Sequence, residues 1–365
     1  MRVQVFGADT GPEEIAALEP SVTGGWMGMG PRVAEFERAF SQRIAAELVM
    51  VNSGTSALHL AIELLDLPAG SDVVLPSFTW VGCAHAVALA GHRPVFADVA
   101  LETQNMGPDH VEAAITDRTA AIMAVHYAGK PAPIDELAGF GVPIVEDAAH
   151  AVDSRVGERW CGTLGELGVF SFDSVKNLAT PDGGAVICPD PATASRARQL
   201  RYCGIGASGF ERRDGDGRWW EPTVERVFPR MLPNDVSASI GLAQLQRLAI
   251  GQQRRRDIWD HYDSRLAHLP WLETPVGPAA GERHSYFTYL VRVTDGRRDA
   301  LARELLANGV YTTLRYAPLH RERIFDSGSV LPNTERLAEE ALNLPLHPGL
   351  SDADVEHVAG LIAGF

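Results

Sequence analysis

Lysine is rare in this chain, and its rarity draws attention to one position. The 365 residues include 32 lysines and arginines, of which only Lys130 and Lys176 are lysine. Lys176 lies between an apolar run that ends at Phe172 and the Gly-Gly pair at 183–184 that opens a second apolar run. Unlike arginine, a lysine amine can lose its proton and act as a nucleophile or base. We therefore predict that Lys176 is a reactive amine.

Four other polar or aromatic features follow predicted strands. Residues 52–55, Asn-Ser-Gly-Thr, run from a strand directly into a helix, where hydroxyls and free backbone amides bind phosphate. Asp147 ends an apolar run, and Trp80 and His150 come shortly after strands. Each feature alone is explained by a helix cap, an ion pair or core packing. The run at 52–55 is neither a Walker loop nor a dinucleotide fingerprint.

Together these features match the needs of one cofactor, pyridoxal 5′-phosphate (PLP). PLP requires an amine, a phosphate cradle, a carboxylate, a flat wall and a hydrogen-bond donor. The predicted contacts are Lys176 for the Schiff base, Gly54, Thr55 and Ser171 for the phosphate, Asp147 for the pyridine nitrogen, Trp80 for stacking, and His150 for the phenolic oxygen. A carboxylate that keeps the pyridine nitrogen protonated would let the ring draw electrons from a substrate carbanion.

The pattern of apolar and amphipathic segments in the first 190 residues predicts a sheet that would position these side chains. Short, almost wholly apolar segments alternate with amphipathic helical segments, a pattern typical of a parallel sheet with helices on both faces. Such sheets bind ligands beyond the carboxyl ends of their strands. The predicted strands are residues 47–52, 72–76, 94–99, 120–127 and 143–147, and the predicted helices are residues 31–46, 55–65, 81–90 and 109–115.

The last third of the chain predicts a smaller domain. A long helix is expected at residues 234–264, followed by strands at 286–293 and 310–316 and by helices at 298–309 and 352–364. We therefore predict a large cofactor-binding domain over residues 1–245. A smaller C-terminal α/β domain is expected over residues 246–365.

Composition excludes several classes of function. The formal net charge of −15 disfavours nucleic acids and anionic membrane surfaces as partners, because phosphate groups are held by clustered cations. The four cysteines show neither metal-ligand spacing nor a disulfide framework, so no metal is predicted. Neither a signal core nor an apolar run long enough for a bilayer is present, and we expect a cytoplasmic, soluble protein.

Several motifs, in this order and at these separations, resemble the DegT/DnrJ/StrS family of sugar aminotransferases. They are NSGTSALHLAI, PSFTW, PVFADV, VHYAGKPAPID, VEDAAHA, FSFDSVKN and GGAVI. The resemblance covers nearly the whole chain, from GGWMGMGPRVAEFERAF to LNLPLHPGLSDADVEHV. It implies the α/β fold of PLP-dependent transferases of fold type I. The large domain would hold a mixed, mostly parallel seven-stranded sheet between helices, next to a smaller C-terminal α/β domain.

The resemblance assigns the cofactor contacts to the same positions. It places the Schiff-base lysine at Lys176, the pyridinium carboxylate at Asp147 and the stacking aromatic residue at Trp80, and His150 stands where the family often has glutamine. It also implies a homodimer with shared active sites, in which Arg230 of the partner subunit reaches the phosphate. The family more often has asparagine at that position. It often has histidine or tyrosine at Asp173, whose role stays open.

The implied reaction is a transamination. An amino group would pass from L-glutamate, which becomes 2-oxoglutarate, through PLP and its amine form PMP to a keto sugar nucleotide. The segment VHYAGKP resembles members that aminate C4 of a 4-keto-6-deoxyhexose, whereas members acting on C3 more often have leucine-tyrosine in place of tyrosine-alanine. The expected sugar or nucleotide contacts are Trp26, Met27, His126, Tyr127 and His320, and the arginines available for the diphosphate are Arg201, Arg212, Arg213 and Arg230.

Alternatives remain at this point. A C3-acting nucleotide-sugar aminotransferase or a cyclitol aminotransferase would share the motifs. A related sugar dehydratase carries histidine in place of the lysine, and Lys176 argues against it. A catalytically silent sugar-nucleotide binding or regulatory protein would not need the intact set of cofactor residues. A nicotinamide-dependent dehydrogenase would need a glycine fingerprint, which the sequence does not contain.

Overall fold

The computed structural model describes residues 3–206, 223–325 and 327–365, so Arg212 and Arg213 lie outside the described residues. The strands are β1 Glu47–Val51, β2 Asp72–Pro76, β3 Arg93–Ala97, β4 Thr119–Val125, β5 Ile144–Asp147, β6 Arg155–Val156, β7 Arg159–Trp160, β8 Leu167–Ser171, β9 Gly184–Cys188, β10 Leu272–Glu273, β11 Glu282–Arg283, β12 Tyr289–Val293 and β13 Ala341–Leu344. The α-helices are α1 Pro12–Thr23, α2 Pro31–Ile44, α3 Gly54–Leu64, α4 Val81–Leu89, α5 Pro108–Glu112, α6 Ile134–Leu137, α7 Pro191–Arg201, α8 Asp235–Leu266, α9 Arg298–Ala307, α10 Pro332–Glu340 and α11 Asp352–Ala363. Short 3-10 helices occupy Tyr127–Gly129, Ala138–Phe140 and Leu319–Arg321.

A central sheet of seven strands confirms the predicted large-domain architecture. Its strand order is β1-β9-β8-β5-β4-β2-β3. Strand β9 runs antiparallel to β1 and β8, and the other neighbours are parallel. Every residue of β2, β8 and β9 is buried, as expected for strands covered on both faces.

The carboxyl edge of this sheet gathers the predicted cofactor residues. Asp147 is the last residue of β5, and Ser171 is the last residue of β8. Trp80 immediately precedes α4, after β2, and Gly54 begins α3, after β1. Because the parallel strands β2, β4, β5 and β8 all end at this edge, residues distant in sequence are brought together there.

A second core lies in the C-terminal part of the chain. An antiparallel sheet of order β10-β12-β13 packs with α9, α11 and the second half of α8. Val3 belongs to the same core and pairs with Val310, so the N-terminal residues also pack here. The predicted boundary between residues 245 and 246 falls inside α8, and the division into two domains at that point stays a prediction.

The predicted strand at residues 310–316 is wrong. Its backbone pairs only at two isolated bridges, from Val310 to Val3 and from Thr313 to Asn343. The amide of Arg315 donates instead to the Asn343 side chain, at 2.8 Å, so a side-chain acceptor replaces a backbone ladder. The neighbours of β12 are β10 and β13, which the sequence pattern did not predict.

Helix α8 is the longest element, with 32 residues. It begins where the Asn234 side chain accepts a hydrogen bond from the Ser237 amide at 2.8 Å, which is a typical N-cap. Its sequence is rich in arginine, aspartate and glutamine. Across the described ranges of the chain, we find no helix that is both long enough and apolar enough to span a membrane.

Candidate active site

A cavity of about 490 Å³ opens at the carboxyl edge of the central sheet. The structure brings together in its lining all the cofactor contacts predicted within one chain: Gly54, Thr55, Trp80, Asp147, His150, Ser171 and Lys176. These residues come from four separate segments of the sequence, at 54–55, 80, 147–150 and 171–176. Their convergence results from the shared edge of the sheet.

Lys176 lies in a tight turn after β8. Its backbone amide donates to the Asp173 carbonyl at 2.8 Å, and the Val175 amide donates to the Asp173 carboxylate at 3.0 Å. Asp173 therefore fixes the turn that carries the lysine. Burial and the positive charge of Arg315 lower the pKa of Lys176 to about 8, against the opposing charges of Asp147 and Asp173. A neutral amine, which is the nucleophilic form, is thus accessible near neutral pH.

Asp147 presents an oriented carboxylate to the cavity. Its Oδ1 accepts from the Ala149 amide at 3.0 Å, and its Oδ2 accepts from the Cys83 thiol at 3.1 Å. Burial and the Asp147 charge raise the pKa of Cys83, so the thiol keeps its proton and acts as a donor. A buried carboxylate fixed in this way can hold a proton on an aromatic nitrogen.

The start of helix α3 forms a cradle for an anion. The Ser53 hydroxyl accepts from the Ser56 amide at 3.1 Å, and the amides of Gly54 and Thr55 precede the first possible intrahelical acceptor. A methyl group on Gly54 would lie 2.7 Å from Cβ of Ser171. Glycine at this position therefore lets the helix start approach the end of β8. Free amides and a serine hydroxyl around a small space suit a phosphate group.

His150 is poised to donate a hydrogen bond. The Arg315 guanidinium donates to the Tyr316 hydroxyl at 3.4 Å, and that hydroxyl lies 3.2 Å from Nε2 of His150. Burial and the charges of Lys176 and Arg315 hold the pKa of His150 well below its usual range. In the tautomer whose Nε2 accepts from Tyr316, the proton is on Nδ1, which is buried and has no hydrogen-bond partner among the described residues.

Aromatic rings complete the walls of the cavity. The Trp80 side chain is 51% exposed, with its ring centre 5.7 Å from that of Tyr316, so its face is accessible to a flat ligand. The His150 ring stacks on Phe287 at 4.0 Å between centres. The cradle at Gly54, the free Nδ1 of His150 and the open face of Trp80 fit PLP.

Sequence reasoning missed the contribution of the C-terminal part of the chain. Arg315 and Tyr316 line the cavity, and the Lys176 amine lies 4.7 Å from the centre of the Phe287 ring. The Arg315 guanidinium lies 3.6 Å from the centre of the Phe6 ring. The sequence feature that could have indicated this contribution is the pair Arg315-Tyr316, at the end of the wrongly predicted strand.

The structure places three of the predicted substrate contacts outside the cavity. His126 is fully buried, with its Nε2 at 2.7 Å from Glu146 and its Nδ1 accepting from the Ala132 amide at 2.8 Å. Tyr127 is also fully buried, and its hydroxyl donates to the Arg315 carbonyl. His320 contacts the Ser77 hydroxyl at 2.8 Å and a glutamate on α10. These three side chains are buried and hydrogen-bonded within the protein, so their role in this structure is to support the fold around the cavity.

The remaining predicted contacts also lie away from the cavity of their own chain. Trp26 and Met27 are each 57% exposed. The Arg230 side chain is also exposed, and its backbone forms an isolated β-bridge with Tyr202. Arg201 is buried, and its guanidinium donates to the Met50 carbonyl at 2.6 Å. Arg201 is thus engaged within the protein and is not a free cation for a diphosphate.

The chain is similar to known aminotransferases in sequence and in structure. A relative from Saccharopolyspora spinosa, named dTDP-4-dehydro-2,3,6-trideoxy-D-glucose 4-aminotransferase, is 40% identical over 357 residues, which cover 96% of this chain and 93% of that one. The crystal structure of the aminotransferase TlmJ from Streptoalloteichus hindustanus superposes with a TM-score of 0.94 at 43% identity, covering 100% of this chain and 98% of TlmJ.

A further solved neighbour is Spr1654 from Streptococcus pneumoniae, which is known in a PLP form and a PMP form. Both have a TM-score of 0.91 at 26% identity, and they cover 100% and 99% of this chain and 98% of Spr1654. The model of the DegT/DnrJ/EryC1/StrS aminotransferase family matches residues 8–363. The chain therefore belongs to the DegT/DnrJ/EryC1/StrS aminotransferase family.

Proposed function

We propose that this aminotransferase moves an amino group from L-glutamate to C4 of a nucleotide-linked 4-keto-6-deoxyhexose, with PLP and PMP as the alternating cofactor forms. The observation that carries the proposal is the meeting of Lys176, Asp147 and the Gly54 cradle in one cavity. The position of the amino group follows the name of the relative from Saccharopolyspora spinosa.

Each polar group of the cavity has a role in such a reaction. The amides of Gly54 and Thr55 and the hydroxyl of Ser171 would hold the phosphate, and Asp147 would keep the pyridine nitrogen protonated. The bound cofactor supplies an electron sink for the carbon that bears the amine. Lys176 Nζ would carry the proton between the substrate carbon and C4′ of the cofactor, away from the amino donor in the first half-reaction and towards the keto sugar in the second.

The lowered pKa of Lys176 suits this proton transfer. General acid and base catalysis is most efficient when the pKa of the group lies near the working pH, and the pKa of Lys176 is about 8. An arginine at this position would remain protonated, because its pKa stays above about 12. The nitrogen Nδ1 of His150 would donate to the phenolic oxygen, and Trp80 would limit the tilt of the ring.

We also propose a homodimer in which the partner subunit's Arg230 reaches the phosphate. Beside Ser171, the expected phosphate contact, lies Asp173, whose amide donates to the Ser171 hydroxyl at 3.4 Å, and the cavity lining also includes Asp182. A phosphate placed there would meet like charges, and a cation from a second chain would offset them. Arg230 is exposed and lies outside the cavity of its own chain, which leaves it available to another subunit.

The lysine assignment has a direct test with a matched control. We expect Lys176→Arg to abolish transamination while cofactor binding is partly kept. Lys130→Arg should stay active, because the Lys130 amine is engaged with the Gly277 carbonyl at 2.9 Å, outside the cavity. Turnover of glutamate with a keto sugar nucleotide measures both variants. Normal turnover by Lys176→Arg would contradict the mechanism.

The substrate assignment is tested with the PMP form of the enzyme. A panel of 3-keto and 4-keto nucleotide sugars is added, and the return of the visible absorbance of lysine-bound PLP is followed. We expect the 4-keto sugars to restore it fastest. Faster reaction of 3-keto sugars would move the site of amination to C3, and reaction of cyclitol ketones alone would reject the sugar-nucleotide assignment. Failure of glutamate to bleach the PLP form would identify a silent binding protein.

A further inference from the structure

Arg315 is a positively charged residue in the cavity lining, and it is not one of the predicted cofactor contacts. Its guanidinium lies over the Phe6 ring, at 3.6 Å from the ring centre, and donates to the Tyr316 hydroxyl at 3.4 Å. The ion pairs found within the described parts of the chain do not include Arg315. Arg321, six residues further along the chain, does have a carboxylate partner, Glu335 at 2.9 Å.

Arg315 and Lys176 approach the same aromatic ring. The lysine amine lies 4.7 Å from the centre of the Phe287 ring, and the Arg315 guanidinium carbon lies 5.6 Å from the same centre. The two cations are close enough that the charge of Arg315 disfavours protonation of both Lys176 and His150. The Arg315 guanidinium has no carboxylate partner among the described residues and lies near a reactive amine. These two positive groups therefore favour the binding of an anion.

We propose that Arg315 binds a carboxylate of the amino-acid donor and of the 2-oxo acid that the donor becomes. This inference rests on the proposed transamination. An amino acid carries a carboxylate one bond from the carbon that must react beside Lys176, so a guanidinium near the lysine is suitably placed. The planar fork of arginine matches a carboxylate through two parallel hydrogen bonds.

The same position suits the sugar nucleotide poorly. In a nucleotide-linked 4-keto hexose, the negative charges lie on the diphosphate, and the sugar ring separates them from C4. When C4 is at the reacting amine, the diphosphate lies on the far side of the ring from it. Arg315 therefore distinguishes the two substrates that alternate in one cavity, and it serves the donor half-reaction.

The rings beneath Arg315 prepare it for this role. Phe6 and Phe287 are stacked with their centres 5.9 Å apart, and a guanidinium over aromatic rings is held by cation–π attraction without being neutralised. The amide of Arg315 is fixed by Asn343, and its carbonyl accepts from Tyr127. The side chain is thus oriented by the protein while its charge remains available.

The test compares Arg315→Gln with a matched control, Arg297→Gln. The Arg297 guanidinium also lies over aromatic rings, 4.3 Å from the Trp271 ring centre and 5.2 Å from that of Phe365, but outside the cavity. Each half-reaction is followed separately in single turnovers, with glutamate and the PLP form or with a 4-keto nucleotide sugar and the PMP form. Arg315→Gln should lower kcat/KM with glutamate by about 10- to 100-fold, the range for a hydrogen bond to a charged group.

Because loss of the Arg315 charge also raises the pKa of Lys176, which acts in both half-reactions, the decisive quantity is the ratio of their kcat/KM values. This ratio should shift by about 10- to 100-fold against glutamate in Arg315→Gln and stay within about threefold in Arg297→Gln. Arg315→Lys, which keeps the charge but loses the fork, should recover part of the glutamate rate and carries the comparison if the glutamine variant does not fold. An equal loss in both half-reactions, or a larger loss with the sugar nucleotide, would assign Arg315 to the diphosphate and overturn the proposal.

Binding of glutarate, a dicarboxylate that cannot react, separates this inference from the proposed function. Calorimetry on the PLP form should show about 10- to 100-fold weaker glutarate binding to Arg315→Gln and unchanged binding to Arg297→Gln. Unchanged affinity in Arg315→Gln would refute the carboxylate site even if the enzyme transaminates sugars. Weakened binding would uphold the site even if every keto sugar nucleotide failed as acceptor.

Discussion

We expect Lys176 to destabilise the cofactor-free protein at neutral pH. Its pKa is lowered from 10.5 to about 8, chiefly because burial disfavours the charged amine. Below pH 8 the amine is protonated in both the folded and the unfolded chain, and the folded state bears the whole penalty. Above pH 10.5 the amine is neutral in both states, and the penalty disappears. Stability is therefore gained as the pH rises through this interval.

The size of the effect follows from the shift in pKa. At about 1.4 kcal/mol per pKa unit, a change from 10.5 to about 8 corresponds to about 3 kcal/mol. The cavity is open to water, and part of the Lys176 side chain is exposed to solvent, which screens its charge. We therefore expect the measured cost of burying the charged amine to be about 2 kcal/mol. Lys176→Met keeps the length of the side chain and removes the charge, so it should stabilise the cofactor-free protein by about this amount.

Urea unfolding of the cofactor-free proteins measures this difference. The free energy of unfolding of Lys176→Met should exceed that of the unmodified protein by about 2 kcal/mol at pH 7, and the gap should close between pH 8 and 10.5. Lys130→Met is the matched control, and it should be less stable because it loses the bond to the Gly277 carbonyl and the ion pair with Glu282. The reasoning fails if Lys176→Met is no more stable at pH 7, or if its advantage does not depend on pH.

Two further substitutions test the neighbourhood of the phosphate cradle. Gly54→Ala places a methyl group 2.7 Å from Cβ of Ser171, and we expect about tenfold or greater loss of PLP affinity in a fluorescence titration, whereas Gly139→Ala, which points into open space, should leave it unchanged. Asp173→Asn keeps the acceptor for the turn but removes a charge that favours protonated Lys176. The pKa of Lys176, measured from the pH dependence of amine modification, should therefore fall below about 8. The affinity for PLP should rise, because one negative charge is removed near the phosphate. An unchanged titration in both assays would show that the Asp173 charge does not reach the site.

Elements with strong periodicity were predictable from the sequence. The apolar segments that became β1, β2 and β5 and the long helix α8 lie where the pattern placed them, because each buries its apolar face in the nearest core. The failure at residues 310–316 has a different origin. The sequence predicted a strand there, but the Arg315 amide donates to the Asn343 side chain, a contact between residues that no local pattern connects.

The same distinction explains which parts of the site were predictable. Asp147 and Ser171 end strands, and a parallel sheet brings strand ends together, so their convergence follows from the fold class. The contact of Arg315 with Phe6 and Phe287 depends on how the second core packs against the first, and sequence spacing carries no information on it.

His126 illustrates the opposite difficulty. A histidine directly after a strand suggests a ligand contact, yet here the Glu146 carboxylate and the Ala132 amide use both of its ring nitrogens within the core. Glu146 accepts three further bonds, from the amides of residues 162, 164 and 165, so the pair anchors the loop between β7 and β8. Burial and hydrogen bonding, which the sequence does not show, decide the role of such a residue.

The distribution of charge within the cavity supports the proposed contribution of a second chain. The cations that line it, Lys176 and Arg315, lie near the Phe287 ring, at the end where the substrate carbon must react. The hydroxyl of Ser171, which would donate to the phosphate, accepts from the Asp173 amide at 3.4 Å, and burial together with the charge of Asp173 raises the pKa of Asp182. A phosphate bound beside two carboxylates requires more positive charge than the helix start alone provides. The proposed dimer meets this need without moving Arg315, because a cation from a second chain at the phosphate end leaves the guanidinium free for the donor carboxylate.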